Sequence, residues 1–161
     1  MRIGVLSDTH LKRSSDLSEI ETVFHEHFAD VGVLLHAGDH VELEVFDSLV
    51  ADKEFIGVAG NMDFDSVRAV LPVKRVVTFE GFRIGMIHGW GAPWGMEKRI
   101  VGEFEQVDCI VFGHTHQALC ERHGDVLFFN PGSPTDNRFA KYRSIGFLEL
   151  GDTIEGTIVK L

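Results

Sequence analysis

The hydrophobic positions of this chain fall into short β-branched runs separated by amphipathic stretches, a rhythm that predicts alternating strands and helices in the first half. Residues 2–7 read as a buried strand. Leu17, Ile20, Phe24 and Phe28 stand at helical spacing behind Ser18 and Glu21, which predicts a helix over 17–28 opened by a capping box. Residues 31–37 predict a second strand, 42–50 a second helix and 54–59 a third strand. A β-α-β-α-β order of this kind implies parallel strands joined by helical crossovers.

The pattern changes after Pro72. Residues 73–79 and 82–87 flank Glu80-Gly81, a two-residue hairpin signal. A helix is predicted over 96–104 and a strand over 108–112. Two further hairpins follow, 117–121 with 126–129 around His123-Gly124, and 144–150 with 153–160 around Gly151-Asp152. The fold class is therefore α/β (α+β), a four-layer sandwich of two packed mixed β-sheets flanked by helices. With no repeat, low-complexity tract or linker, residues 1–161 form a single domain.

Composition sharpens this picture. The chain has 161 residues, 44% of them hydrophobic, enough apolar content for a packed core rather than a disordered chain. Its formal net charge of −10 argues against long nucleic acid, whose binding relies on a basic surplus. The acidity is local: residues 16–54 hold 11 acidic side chains against Lys53 alone. No apolar run is long enough for a membrane span, and the N-terminus is no signal peptide, since its apolar stretch meets Asp8. Cys109 and Cys120, with no C-x-x-C pairing, read as two reduced core thiols in a cytoplasmic chain.

The nine histidines direct attention to metal chemistry. Polar residues recur just beyond the predicted strands: Asp8-Thr9-His10, Gly38-Asp39-His40, Gly60-Asn61-Met62-Asp63, His88-Gly89 and Gly113-His114-Thr115-His116. Strand carboxyl ends are where α/β sheets bind ligands, so five such ends can share one pocket. In extended chain, positions i and i+2 face one side, which would present Asp8 with His10 and His114 with His116. Carboxylate, imidazole and amide oxygen form a donor set for Mn, Fe, Zn or Ni, and seven such residues suit two ions sharing a carboxylate. His25 and His27 read as a solvated helix face, His36 as a hydrogen-bonded interior residue and His123 as part of a turn.

Taken in order, these five blocks resemble those of the calcineurin-like metallophosphoesterases. The short chain and Asn130-Pro131-Gly132-Ser133 are similar to the small bacterial and archaeal phosphodiesterase branch. The resemblance implies two divalent transition-metal ions, manganese first and Fe, Zn or Ni as alternatives. Asp8, His10 and His116 would hold one ion, Asn61, His88 and His114 the other, with Asp39 bridging. It implies a phosphodiesterase that attacks small diesters with a metal-bridging hydroxide. Asp39, His40 and Asp63 are the candidate catalytic residues. Asn61, Trp90, Asn130, Ser133 and Arg138 are the candidate substrate contacts.

The chain departs from the family pattern at two places. Met62 stands where the wider superfamily often has a histidine after the asparagine, and Trp90 where the small branch commonly shows His-Gly-His. Neither can supply a proton, so leaving groups of low pKa should depart best, with His40 the substitute acid by position. Two other functions fit the same resemblance: a non-catalytic protein-binding scaffold like the small retromer subunit, and a phosphomonoesterase. The expected partner is a small phosphodiester, with no membrane, and a homo-oligomer is open.

Overall fold

The computed structural model of the chain describes residues 1–50, 52–136 and 138–161. Among the described residues ten strands form two five-stranded sheets. The first contains β1 (Arg2–Leu6), β2 (Val33–His36), β3 (Glu54–Gly57), β9 (Ser144–Leu150) and β10 (Ile154–Lys160), in the order β10-β9-β1-β2-β3. The second contains β4 (Lys74–Phe79), β5 (Phe82–Ile87), β6 (Cys109–Phe112), β7 (Leu119–His123) and β8 (Val126–Asn130), in the order β4-β5-β6-β8-β7. Both sheets are mixed: β1-β2-β3 and β5-β6-β8 run parallel, and antiparallel hairpins close three of the four edges, β3 being the fourth.

Strand alternation divides the apolar side chains among three layers of contact. Ile3 and Val5 of β1 face inward and meet Ile84, Met86, Val111 and Phe129 of the opposite sheet. Leu6 faces outward under α1 (Ser18–His27) and α2 (Phe46–Leu49), packing with Phe24, Phe28, Phe46 and Phe147. On the far side Ile87, Ile110, Phe112 and Phe128 pack beneath Met96 and Ile100 of α4 (Met96–Ile100). The result is an α/β sandwich with sheets inside and helices outside. No helix among the described residues is long and apolar enough to cross a membrane.

Several local expectations are corrected. Ser18 and Glu21 form no capping box; the Ser18 amide donates to Asp16 Oδ1 at 3.0 Å, so Asp16 opens α1. The helix expected over 42–50 is a 3₁₀ turn (Leu43–Val45) running into α2, and that over 96–104 is α4 followed by a 3₁₀ turn (Val101–Glu103). A helix α3 (Asp65–Val70) had no predicted counterpart, its six residues being too few to show a period. His123 belongs to β7 and pairs with Val126, so that turn is Gly124-Asp125. Only Cys109 is a core thiol; Cys120 is exposed on β7.

Candidate metal centre

The loops leaving β1 and β2 lie side by side and continue the parallel pairing of their strands. Asp8, His10 and Leu11 donate their amides to the carbonyls of Gly38, Asp39 and His40 at 3.0, 3.0 and 2.9 Å. Across the sandwich, the amide of Gly113 after β6 donates to His88 O after β5 at 3.1 Å. The two sheets meet at this edge where the His114 amide donates to both oxygens of Asp8 at 3.1 Å. The candidate ligands are thus fixed through main chain, not through mobile side chains alone.

The backbone here is not extended. Asp8, His10, Asp39, His114 and His116 have φ of 53°, 49°, 58°, 69° and 57°. These left-handed values are uncommon for residues with a Cβ. This corrects the i/i+2 argument: Asp8 and His10 do share a side, but His114 and His116 diverge. Asp8, His10 and His116 place ligand-capable atoms within 4.8 Å of one another, as do Asp8, Asp39 and His88. His114 instead faces Asn61, its Nδ1 lying 2.9 Å from Asn61 Oδ1. Asp39 Oδ2 lies 3.8 Å from His10 Nε2 and 3.2 Å from His88 Nε2, so it reaches both histidine sets. Asp8, and not Asp39, is the member common to both triads, an overlap that the resemblance reserved for Asp39.

The donor atoms suit cations. His88 Nδ1 lies 2.7 Å from Ala37 O, which can only accept, so that nitrogen carries the hydrogen. In the neutral ring Nε2 is then a lone pair; it is buried, has no directed hydrogen bond, and faces the Asp39 and Asp8 carboxylates. His116 repeats the arrangement: Nδ1 donates to Asp136 while Nε2 lies 3.3 Å from Asp8 Oδ1. His114 Nε2, 2.8 Å from Gly91 O, likewise leaves Nδ1 as the acceptor toward Asn61. Acceptors facing acceptors require a cation or a proton between them. At His116 and His88 the neighbouring carboxylates favour a proton in that place when no metal is bound. Burial works against a charged His116, but Asp8 and Asp136 outweigh it and push its pKa up to about 9. His88 is raised too, the carboxylates of Asp39 and Asp8 overcoming its burial. Burial also opposes ionisation of Asp39, yet the facing His88 and the Met62 amide, 2.7 Å from Oδ1, hold its carboxyl below the usual range.

Glycine is required where these loops approach. A Cβ on Gly60 would sit 2.2 Å from Asp39 Oδ1 and 2.3 Å from its amide nitrogen. One on Gly38, whose φ is +92°, would meet the His88 ring at 2.8 Å.

The remaining predicted residues divide. A cleft of about 660 Å³ opens over the centre, lined by His10, Asp39, Asn61, His114 and His116 and by Met62, Asp136, Arg138 and Phe139. Arg138 is exposed at this cleft. Trp90 lies in a neighbouring groove with Asn61 and His88. His40, expected as a substitute acid, is fully buried, stacked on His36 at 3.7 Å and boxed by Phe46 and Phe55. Its Nδ1 lies 3.2 Å from Asp63 Oδ2, and Asp63 accepts the amides of Val41 and Gly60 at 2.7 Å. His40 and Asp63 therefore fasten the Asp39 and Asn61 loops together and do not reach the cleft.

Asn130 and Ser133 are corrected in the same way. Asn130 is enclosed and bonds Gly113 O and Thr115 Oγ1, while Ser133 Oγ donates to Asp8 O at 2.7 Å. They are enclosed and brace the ligand loops from behind. His36 is interior as expected, with Nε2 3.0 Å from Thr9 Oγ1, and burial keeps its pKa well below normal. Asp136 and Arg99 were not foreseen. Asp136 follows a turn whose sequence speaks only of Pro and Gly. Arg99 gathers the carbonyls of Trp90, Ala92 and Trp94 from outside the motif blocks.

Sandwich and site together place a candidate metal centre at the carboxyl edge of two packed sheets. The family model for the calcineurin-like phosphoesterase superfamily domain matches residues 1–153, and the chain belongs to that superfamily. A probable metallophosphoesterase of Methanocaldococcus jannaschii is 36% identical over 165 positions, covering 100% of this chain and 82% of the relative. A phosphodiesterase of the same organism is 29% identical over 146 residues, 82% of this chain and 83% of its own. A single-mutant form of Vps29 from Entamoeba histolytica superposes with a TM-score of 0.77 at 25% identity, covering 100% of this chain and 99% of that one.

Proposed function

We propose that this chain is a binuclear metal-dependent phosphodiesterase acting on small diesters. The observation that carries the reading is the buried Nε2 of His88, turned toward Asp39 and Asp8 with no hydrogen-bond partner, beside the paired Nε2 atoms of His10 and His116 that face the same two carboxylates. Asp8, His10 and His116 would hold one divalent cation and Asn61, His88 and His114 the other, with Asp39 shared between the two sets. Manganese is the first choice, with Fe, Zn or Ni fitting the same donors. Such cations acidify water for attack on phosphorus and offset charge on the phosphoryl oxygens.

The chain's own residues set the electrostatics. Two carboxylates, Asp8 and Asp39, leave a doubly occupied centre net positive, so a protein of −10 can still attract a phosphate. Arg138 stands at the cleft to meet it. Met62, more than half exposed at the cleft, has no proton to give, and His40 is enclosed. Leaving groups that depart as stable anions therefore suit this site. The phosphodiesterase relative supports diester over monoester hydrolysis. Two free thiols and the absence of a membrane-spanning helix among the described residues fit a cytoplasmic enzyme.

Hydrolysis of an aryl phosphodiester with added Mn²⁺, comparing wild type with Asp39→Ala, tests this, with an aryl monoester in parallel. Metal-dependent diester turnover lost in the variant is expected; faster monoester turnover would make the protein a monoesterase. The likeness to Vps29 favours a second reading, a non-catalytic protein-binding scaffold, and equal inactivity of both proteins on both substrates would select it.

A further inference from the structure

We propose that the groove walled by Trp90 is a subsite for a planar aromatic substituent, so that the substrate is a diester with one aryl or nucleobase-like arm. This rests on the phosphodiesterase reading. The groove, about 290 Å³, is lined by Val73, Ile87 and Trp90, with Arg68 beside them and Asn61 and His88 at its inner end. It shares Asn61 with the main cleft and no other lining residue, so the candidate ligands stand between two separate openings. A phosphodiester has two ester substituents, and a phosphorus seated at these ligands would direct one into each opening.

The chemistry of the two openings differs. The main cleft carries four carboxylates, Asp16, Glu19, Asp39 and Asp136, with Arg138 and the exposed Phe139 at its rim. The groove offers an indole that is 44% exposed and a valine that is 72% exposed, with one guanidinium and no carboxylate. An exposed tryptophan face next to a reaction centre matches a flat apolar group, and such stacking tolerates any aromatic ring.

The wall is built rather than loose. Arg99 donates to the carbonyls of Trp90, Ala92 and Trp94, the last two at 2.5 Å, and Gly91 O between them accepts from His114 Nε2. One cation thus holds the loop that carries Trp90, and the same loop touches a candidate ligand. A preorganised wall binds a ring without first having to order itself.

Calorimetry on the full-length protein loaded with Mn²⁺ tests the subsite, using monomethyl phenylphosphonate and monomethyl methylphosphonate, monoanions that mimic a diester. Wild type should bind the phenyl compound about tenfold more tightly or better. Trp90→Ala should erase most of that preference while changing affinity for the methyl compound by less than about twofold, and Trp90→Phe should restore it. Equal weakening of both compounds would show that Trp90 only props the loop, and would overturn the subsite. So would a wild type with no phenyl preference, or self-association that Trp90→Ala abolishes without altering binding. If neither phosphonate binds and no aryl diester is hydrolysed, the phosphodiesterase reading falls first. Hydrolysis without phenyl preference removes the subsite alone.

Discussion

His116 is held from behind by Asp136: its Nδ1 donates to that carboxylate, and its Nε2 is thereby aimed at Asp8 Oδ1, 3.3 Å away. Partners of this kind fix the tautomer and orientation of a metal-binding imidazole. Asp136 also accepts the amides of Arg138 and Phe139, so one side chain ties the cleft loop to a ligand. Asp136→Ala should weaken Mn²⁺ binding roughly 10–100-fold while the fold persists. Asp136→Asn, which can still accept from Nδ1, should lose less. Calorimetric titration of both variants checks this, and unchanged affinity in the alanine variant would remove Asp136 from the site.

Protonation provides a second test. The carboxylates raise His88 and push His116 up to about 9, while burial lowers His10, so near neutral pH the metal-free site holds a proton at His116 where a cation would sit. Metal binding should therefore release protons, and affinity should climb with pH until about 9. The sign for stability is opposite in the metal-free protein. A histidine raised on folding stabilises fully below its unfolded value of 6.5, and that contribution is lost as pH rises through about 9. The Tm of metal-free protein should fall across this window more than that of Mn²⁺-loaded protein. Titration heats in buffers of different ionisation enthalpy count the protons directly.

Gly60 offers a steric test of Asp39. A methyl group there would collide with Asp39 Oδ1 at 2.2 Å and with its amide nitrogen at 2.3 Å, so side-chain rotation alone cannot relieve it. Gly60→Ala should cost on the order of 100-fold in metal-dependent turnover, the scale expected for an ångström-sized misplacement. Circular dichroism should remain native. Full activity would mean that Asp39 need not occupy its present position.

Asp63 should behave as a structural residue. Its carboxylate is the acceptor for His40 Nδ1 and for the amides of Val41 and Gly60, all buried. Asp63→Ala leaves these donors unmatched and should destabilise the protein by about 3 kcal/mol or more. Urea denaturation gives the number. A variant of wild-type stability with no turnover would instead return Asp63 to the chemistry.

Much of this architecture was readable before any coordinates. Glu80-Gly81 announced its hairpin through its glycine between two apolar runs, and the two residues adopt φ of 50° and 86°. The two-sheet sandwich followed from strands alternating first with helices and then with turns. The seven candidate ligands were legible because carboxylates and histidines repeat just beyond strand ends. Their conformation was not, since left-handed backbone at Asp8 or His114 is imposed by neighbouring loops and leaves no mark on composition. His40 and Asn130 look like site residues by position, yet tertiary packing encloses both. Asp136 and Arg99 escaped notice because their partners, the His116 ring and the carbonyls of 90–94, become neighbours only in three dimensions.

The left-handed backbone at Asp8, His10, Asp39, His114 and His116 has a consequence for how this fold can change over generations. Non-glycine residues held there cost on the order of 1–3 kcal/mol each. Replacement by glycine at His10 or His116, whose side chains accept no main-chain amide, would relax the chain and delete a ligand in one step. Drift toward greater stability, unopposed by selection for turnover, would therefore dismantle this centre before it touched the sandwich. A descendant that kept the shape and lost the chemistry would be the sturdier molecule, free to be retained for its surfaces alone.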